Sequence, residues 1–391
     1  MKLLIISDML HYRNAKGEIF GWGPTVTEIN HLSELFEQIV HIGTFTQDVP
    51  PATSLPYTGN VRLVPLKETG GTTIWHKLGV LAESINYLRA MLNELPNADV
   101  VHVRCPSNIP LLALLLMSII RKPHPRWVKY AGNWRPTHSE AWSYTFQRWW
   151  LQHNFHHGTV SVNGKWPDQI PHIYSFLNPS LTSGEVITNR KAASRKKLQT
   201  PLHLLFVGRV EEPKGAGRTL RIAQALHIAD IPFELHIAGD GPESAFFQKE
   251  AQTLGINEQT IFHGWLSKEN LAKLYTQAHF LLLPSTASEG WPKVLSEGMS
   301  YGVVPLSSTI SSIPQILSEY GAGIAHPPED IHAFVKSILA YLENPNKWLE
   351  ASHAGQQQAD QFTYESYLHR VRRMFWDAWH IRLLGFEEES L

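Results

Sequence analysis

Residues 286–305 read TASEGWPKVLSEGMSYGVVP, between an apolar run HFLLLP (279–284) and another, VVPLS (303–307). Apolar run, polar loop, helix and apolar run in that order is the signature of a strand–helix–strand unit with parallel strands buried on both faces. Glu289 stands just before the expected helix start, and Glu297 eight positions later stands inside the helix. Gly290, Trp291, Pro292, Lys293 and Val294 span the start, and proline suits the first turn because its missing N–H has no intrahelical partner there. A helix N-terminus offers backbone N–H groups and roughly half a positive charge, which makes it an anion site. Glu289 therefore sits beside the expected phosphate position and Glu297 about a turn and a half deeper. One carboxylate can accept from hydroxyls on one side of the anion, the other from hydroxyls on the other side. A nucleoside diphosphate sugar has that layout. Two glutamates at this spacing are also compatible with two solvated or capping carboxylates.

Upstream, FVGRVEEPKG (206–215) follows another apolar run and sets Gly208, Arg209 and Lys214 on a glycine-punctuated loop. A strand that feeds such a loop, with two cations on it, can hold a diphosphate. An ordinary charged surface turn is the competing reading.

GRVEEPKG, then HIAGDGPE (236–243), then FHGWLS (262–267), then the Glu289–Glu297 segment resemble the ordered motifs of family-4 retaining glycosyltransferases with the GT-B fold. The resemblance covers about 200–330; residues 1–200 resemble the family mainly in pattern. It implies that Arg209 and Lys214 clamp a donor diphosphate, with Gly208, Trp265, Gly290, Trp291, Pro292, Lys293 and Val294 around the donor. It further implies that Glu297 binds the ribose diol, and that Glu289 contacts the transferred sugar near the reacting centre. Glu289, Arg209 and Lys214 are then the residues expected to act on the reaction. No cofactor is implied.

Working outward, short apolar runs alternate with helical stretches through the whole chain. Strands are expected at 2–7, 38–43, 61–65, 99–104, 127–131 and 159–162, with helices near 25–37, 75–95, 108–121 and 138–155. A second set of strands follows at 202–208, 233–239, 260–264, 279–284 and 303–307. The fold expected is α/β: two facing Rossmann-like, doubly wound parallel-sheet domains, with ligand in the cleft beyond the strands' carboxyl ends. The boundaries expected are 1–168 for an acceptor-side domain and 169–362 for a nucleotide-sugar domain. A C-terminal helix in 363–391, with a stripe at Tyr364, Leu368, Val371, Phe375 and Ala378, returns to the first domain by the resemblance. Residues 182–200 read as an exposed loop whose Arg195, Lys196 and Lys197 form a solvated basic face.

Composition narrows the function classes. The chain has 391 residues, enough for two cores, with 34 basic against 35 acidic side chains, so bulk charge makes no case for nucleic-acid binding. The single cysteine, Cys105, excludes an internal disulfide and suits a reducing compartment. MKLLIISD has too short an apolar core for a signal peptide, and IPLLALLLMSII (109–120) is too short to span a bilayer. A cytoplasmic protein is expected, with peripheral contact at the inner face of the membrane left open. Twenty-one histidines show no convincing metal spacing, and no Asp-x-Asp is available to hold Mg²⁺ beside a diphosphate.

The first half offers the acceptor or sugar side. Gly21 and Gly23 precede a helix opened by Pro24 and Thr25, in a loop that resembles the family's glycine-rich first loop with its glycine pair split by Trp22. In KYAGNWRPTHSE (129–140), Asn133 stands where many relatives carry histidine, and His138 is displaced nearby. Asparagine can hydrogen-bond a sugar hydroxyl but cannot serve as a base. Trp127, Trp134, Trp142, Trp149, Trp150 and Trp166 crowd one segment, as core or as a surface for sugar or lipid headgroups. The expected activity is retaining transfer of a sugar from a UDP- or GDP-type donor to the hydroxyl of a saccharide or lipid-linked acceptor, in cell-surface polysaccharide or glycolipid synthesis. A nucleotide-sugar epimerase, a phosphorylase, or a non-catalytic glycan- or transferase-binding partner remain as rivals.

Overall fold

A computed structural model describes residues 1–68, 74–136, 140–167 and 169–386, with side chains 74–82 set aside. The chain divides into two compact units. One is built from Met1–Trp134, the residues up to Phe176 and the segment from Tyr367; the other is Leu177–Ser366, with Arg135 attached to it.

Among the described residues nine strands build the sheet of the first unit: β1 Lys2–Arg13, β2 Ile19–Trp22, β3 Gln38–Phe45, β4 Ser54–Pro56, β5 Val61–Lys67, β6 Val100–Cys105, β7 Arg126–Tyr130, β8 Thr159–Asn163 and β9 Ile173–Phe176. The parallel body runs β5-β3-β1-β6-β7-β8-β9. Side chains alternate across it, as a period of two requires. Leu3, Ile5 and Trp127 enter a core with Phe36 and Phe375; Leu4, Ile6 and Val128 enter the opposite one with Val103 and Leu114. The apolar run 109–120 forms the helix Asn108–Ile119 on the second face. Among the described residues no helix is long and apolar enough to cross a membrane.

The expected loop after the first strand is instead strand. β1 continues to Arg13 and turns back antiparallel through β2, which pairs in turn with β4. Gly21 lies within β2, and a Cβ there would meet the Met9 side chain at 2.7 Å; Gly23 opens the helix Gly23–Leu32, where a Cβ would meet the Thr53 carbonyl at 2.7 Å. The close backbone approach accounts for Gly23, whereas the crowding at Gly21 comes from the flexible end of Met9.

In the C-terminal helix, Tyr364–Trp379, the residues Tyr367, Leu368, Val371, Met374 and Phe375 are buried in the first unit's core. A buried ionic knot helps hold it. The Glu28 carboxylate accepts from Arg104 at 2.8 Å, Lys129 at 2.6 Å and the Tyr367 hydroxyl at 3.0 Å.

The second unit carries six parallel strands: β10 Leu202–Val207, β11 Phe233–Ala238, β12 Thr260–Gly264, β13 Phe280–Leu283, β14 Val304–Ser308 and β15 Ile324–His326. Their order is β12-β11-β10-β13-β14-β15. The order reverses between β10 and β13, so the loops leaving those two strands diverge around a crevice, the usual ligand position in such a sheet.

The segment 182–200 departs from the loop expected of it. Ser183–Ala192 is a helix opened by a capping box in which Thr182 and Glu185 satisfy each other's backbone N–H. Lys196 is not on a solvated face: its ammonium donates to the carbonyls of Tyr275 and Ala278 at 2.7 and 2.9 Å, closing the helix Lys268–Gln277, and burial pulls its pKa down to about 7.

The glycines of HIAGDGPE have a packing cause. Gly239 has φ +139° and its Cα lies against the Gly208 carbonyl; Gly241 lies against the Val210 backbone. Gly239→Ala should therefore cost on the order of 1–3 kcal/mol through backbone strain alone, and more through the clash. Gly184→Ala, at an exposed helical position with open space around it, should instead stabilise by about 0.5–1 kcal/mol. Denaturant unfolding of the two variants should move in opposite directions.

Candidate functional site

The loop after β10 begins at Gly208, passes Arg209 and ends in a short 3₁₀ turn, Glu212–Lys214. Gly215 follows at φ +91°, its Cα against the Pro284 carbonyl, and a Cβ would not fit there. This close approach clamps the loop against the one leaving β13. The Pro213 carbonyl adds to the clamp by accepting from the backbone N–H of Thr286 at 2.8 Å, that of Ala287 at 3.1 Å and the Ser285 hydroxyl at 3.0 Å.

Arg218, on the helix Ala216–Ile228, completes it. This guanidinium is buried, and it donates to the carbonyls of Pro284 and Glu212 (both 2.7 Å), to the carboxylates of Glu212 (2.9 Å) and Glu329 (3.0 Å), and to the Thr286 hydroxyl (3.4 Å). Sequence reasoning passed over Arg218, because one arginine on an amphipathic helix reads as a solvated charge. Its signal is weak: it lies four residues beyond Lys214 on a face that is otherwise buried.

The two loops thus bring Lys214 and Glu289 into direct contact, and their side chains form an ion pair. Arg209 remains well exposed, 3.3 Å from Glu211. The helix after Glu289 runs Lys293–Ser300 with Pro292 at its N-cap, one position earlier than a first-turn proline. The Lys293 ammonium lies 5.6 Å over the Tyr364 ring. Glu297 is half-buried one turn along, accepting from the Tyr275 hydroxyl at 3.1 Å. Burial pushes its carboxyl above the ordinary glutamate value, against the pull of Lys293 and Tyr275.

The other expected residues divide. Trp265 stands exposed just past β12, at the carboxyl end of the sheet. The Trp291 side chain is not at a surface: it stacks on Phe362 with centroids 5.0 Å apart in the core of the unit, leaving only its backbone near the helix start. Gly290 is buried too, its carbonyl accepting from Ser312 at 2.7 Å, and Val294 packs against the same core.

In the first unit Asn133 is buried, with its carbonyl 3.5 Å from the Arg148 guanidinium. His138 lies outside the described residues. The tryptophans split between two roles. Trp127 and Trp134 are core, Trp150 and Trp166 pack against it, and Trp142 and Trp149 stand 74% and 44% exposed on the helix Trp142–Gln152.

Residues 188–359 match the family model described as glycosyl transferases group 1, a span that holds every residue of the Lys214–Glu289 neighbourhood. The chain superposes on a sucrose-phosphate synthase from Thermosynechococcus elongatus over 96% of its own length and 99% of that chain, with TM-score 0.66 at 14% identity. It superposes on Anabaena HepE in complex with UDP-glucose over 96% and 100%, with TM-score 0.66 at 12% identity. The chain has the GT-B fold. Among curated proteins this GT-B chain is 32% identical over 150 residues to lipopolysaccharide 1,6-galactosyltransferase of Salmonella typhimurium, an alignment covering 38% of this chain and 42% of that protein. It is 28% identical over 150 residues to the amylovoran biosynthesis glycosyltransferase AmsK of Erwinia amylovora, covering 37% of each. These alignments span less than half the length of the relatives.

The raised Glu297 value has a thermodynamic consequence. The folded state holds this proton more tightly than the unfolded chain, so the carboxyl favours folding at acid pH and that contribution is lost as pH rises through the raised value. Above the raised value the ionised, half-buried carboxylate is a cost. Glu297→Gln should therefore raise Tm at pH 7–8, an advantage that shrinks as pH falls through the ordinary glutamate range. Thermal unfolding of both proteins across pH tests this.

Proposed function

We propose that the chain is a retaining glycosyltransferase that moves a sugar from a nucleoside diphosphate donor to an acceptor hydroxyl, in the synthesis of a cell-surface polysaccharide or glycolipid. The observation that carries this reading is the meeting of Lys214 and Glu289 at the switch point of the second sheet, on loops clamped together by Pro213 and Arg218. Support comes from the group 1 match over the same residues, from relatives named for lipopolysaccharide and amylovoran synthesis, and from a similar fold solved with UDP-glucose.

The chemical difficulty is charge separation. The anomeric carbon becomes cationic while the diphosphate leaves with growing negative charge. Lys214, Arg209 and the start of the helix Lys293–Ser300 stabilise the leaving group, an electrostatic role strongest where water is excluded. In a front-face displacement a leaving-group oxygen accepts the acceptor's proton, so Glu289 orients the sugar and forms no covalent bond to it. Donor binding exchanges the Lys214–Glu289 pair for a Lys214–diphosphate contact and releases Glu289 toward the sugar hydroxyls. Glu297 accepts from the ribose diol. A uridine donor is the first to test, given the UDP complexes of the similar fold. An epimerase or phosphorylase has no added observation in its favour.

The roles separate experimentally. Lys214→Ala should lower turnover on the order of 10² to 10³. Glu297→Gln should weaken binding of free UDP in calorimetry. Glu289→Gln should leave UDP affinity intact or raised, since it frees Lys214, while turnover falls. Loss of UDP binding in Glu289→Gln with retention in Glu297→Gln would reverse the donor's orientation.

For the acceptor, a saccharide or a lipid-linked saccharide, the exposed rings matter. Trp142 stacks on Phe146 at 5.3 Å, and contacts continue through Trp149 to Phe155. Such a surface suits the headgroup layer, where amphipathic rings rest. Sedimentation with anionic phospholipid vesicles should retain the wild type and lose most of a Trp142→Ala/Trp149→Ala variant.

A further inference from the structure

A row of histidines crosses one face of the second sheet. His263 on β12, His236 on β11, His203 on β10 and His279, just before β13, follow one another with ring centroids 5.2, 6.2 and 5.4 Å apart. His203 lies opposite Glu234 in the β10–β11 register, and His236 is two residues beyond Glu234, so all three side chains share a face. His203 Nδ1 is 3.5 Å and His236 Nε2 3.8 Å from the Glu234 carboxylate, and one ligand atom from each residue lies within 4.8 Å of the others. Both of those nitrogens are buried and make no hydrogen bond. His236 is itself only 8% exposed. Buried polar nitrogens ordinarily find partners, and two of them aimed at one carboxylate without bonding to it need a cause.

We infer that His203, Glu234 and His236 form a binding site for a zinc-class divalent ion. Two imidazoles and one carboxylate make a donor set suited to Zn²⁺ and not to Mg²⁺ or Ca²⁺, which take oxygen. Ligand atoms around tetrahedral Zn²⁺ stand about 3.3 Å apart, from Zn–N and Zn–O lengths of about 2.0–2.2 Å. Small side-chain rotations close the present spacings to that value, and Glu234, half in solvent, is free to make the largest. His236 Nδ1 is 3.0 Å from His263 Nε2, and with His236 as the donor its Nε2 keeps a lone pair for the metal. The exposed side of Glu234 is the entry path.

This site is separate from the Lys214 loop. His203 is the second residue of β10 and the loop starts at Gly208 beyond its other end, about 16 Å away at 3.3 Å per residue. The ion's role is therefore to tie strands together. No spacing motif announces it, because its ligands come from adjacent strands 31 residues apart (His203 to Glu234).

The test uses the full chain without a histidine tag, stripped with chelator and titrated with Zn²⁺ and with Co²⁺ alone. The expected result is one tight equivalent of Zn²⁺ by competition with a chromophoric chelator. A rise in Tm with Zn²⁺ and visible ligand-field bands of a four-coordinate Co²⁺ complex should accompany it. His203→Ala and His236→Asn should abolish the tight equivalent, Glu234→Gln should weaken it, and His263→Ala should weaken it about 10- to 100-fold, because the His236 ring loses the hydrogen bond that orients it. His124→Ala, at an exposed histidine, should leave it unchanged. Should His236→Asn fail to fold, the half-buried His203 and exposed Glu234 variants carry the same test. Weak multiple equivalents only, or a tight equivalent indifferent to all four variants, overturns the site.

Discussion

Arg218 is the fixed point of the second unit's carboxyl edge. A guanidinium has five N–H groups in a rigid fork, and here five acceptors meet it: two carbonyls, two carboxylates and a hydroxyl. Taking that charge out of water is costly, and the cost is offset only because every donor is used. The acceptors come from the loop after β10, the loop after β13 and Glu329, so three segments far apart in sequence are held by one side chain. A lysine, with a single compact ammonium, could not span them.

What that clamp holds is a pair of opposite charges. Lys214 and Glu289 neutralise each other on loops that have little freedom to separate, which keeps a partly buried cation and a partly buried carboxylate in register. Under the glycosyltransferase reading, the pair also explains why both residues are ready for a donor. A diphosphate carries more charge than one carboxylate and competes for the ammonium, and the displaced carboxylate is already beside the place where the sugar arrives. Arg209 is exposed and, among the described residues, is paired with Glu211 nearby in sequence.

The long parallel strands were legible because buried parallel strands are near-continuous apolar runs, such as LHLLFV and FELHIA. The short strands β2, β4, β9 and β15 were not, since three or four residues carry no period and their pairing is set by neighbours already in place. The helix Ser183–Ala192 was readable in principle from Thr182 and Glu185, three apart, but the basic run that follows it drew the segment toward solvent. Residue types at the site were legible and side-chain directions were not. Trp291 beside a helix start looks like a ligand platform until its ring is found on Phe362. Lys214 and Glu289, 75 residues apart, meet through strand order, which no local pattern encodes.

The two units solve the burial of charge in different ways, and the difference bears on function. In the first unit Glu28 faces Arg104, Lys129 and the Tyr367 hydroxyl, deep under the C-terminal helix. Removal of Glu28 would take the shared carboxylate from both Arg104 and Lys129, a costly loss at buried positions, and the Tyr367 hydroxyl ties the C-terminal helix to the same carboxylate. Glu297 in the second unit accepts from the Tyr275 hydroxyl, and its carboxyl is held above the ordinary range by burial. A carboxylate serving only stability would be better replaced by glutamine. Under the glycosyltransferase reading, the acceptor capacity of Glu297 is kept for the hydroxyls of a ligand.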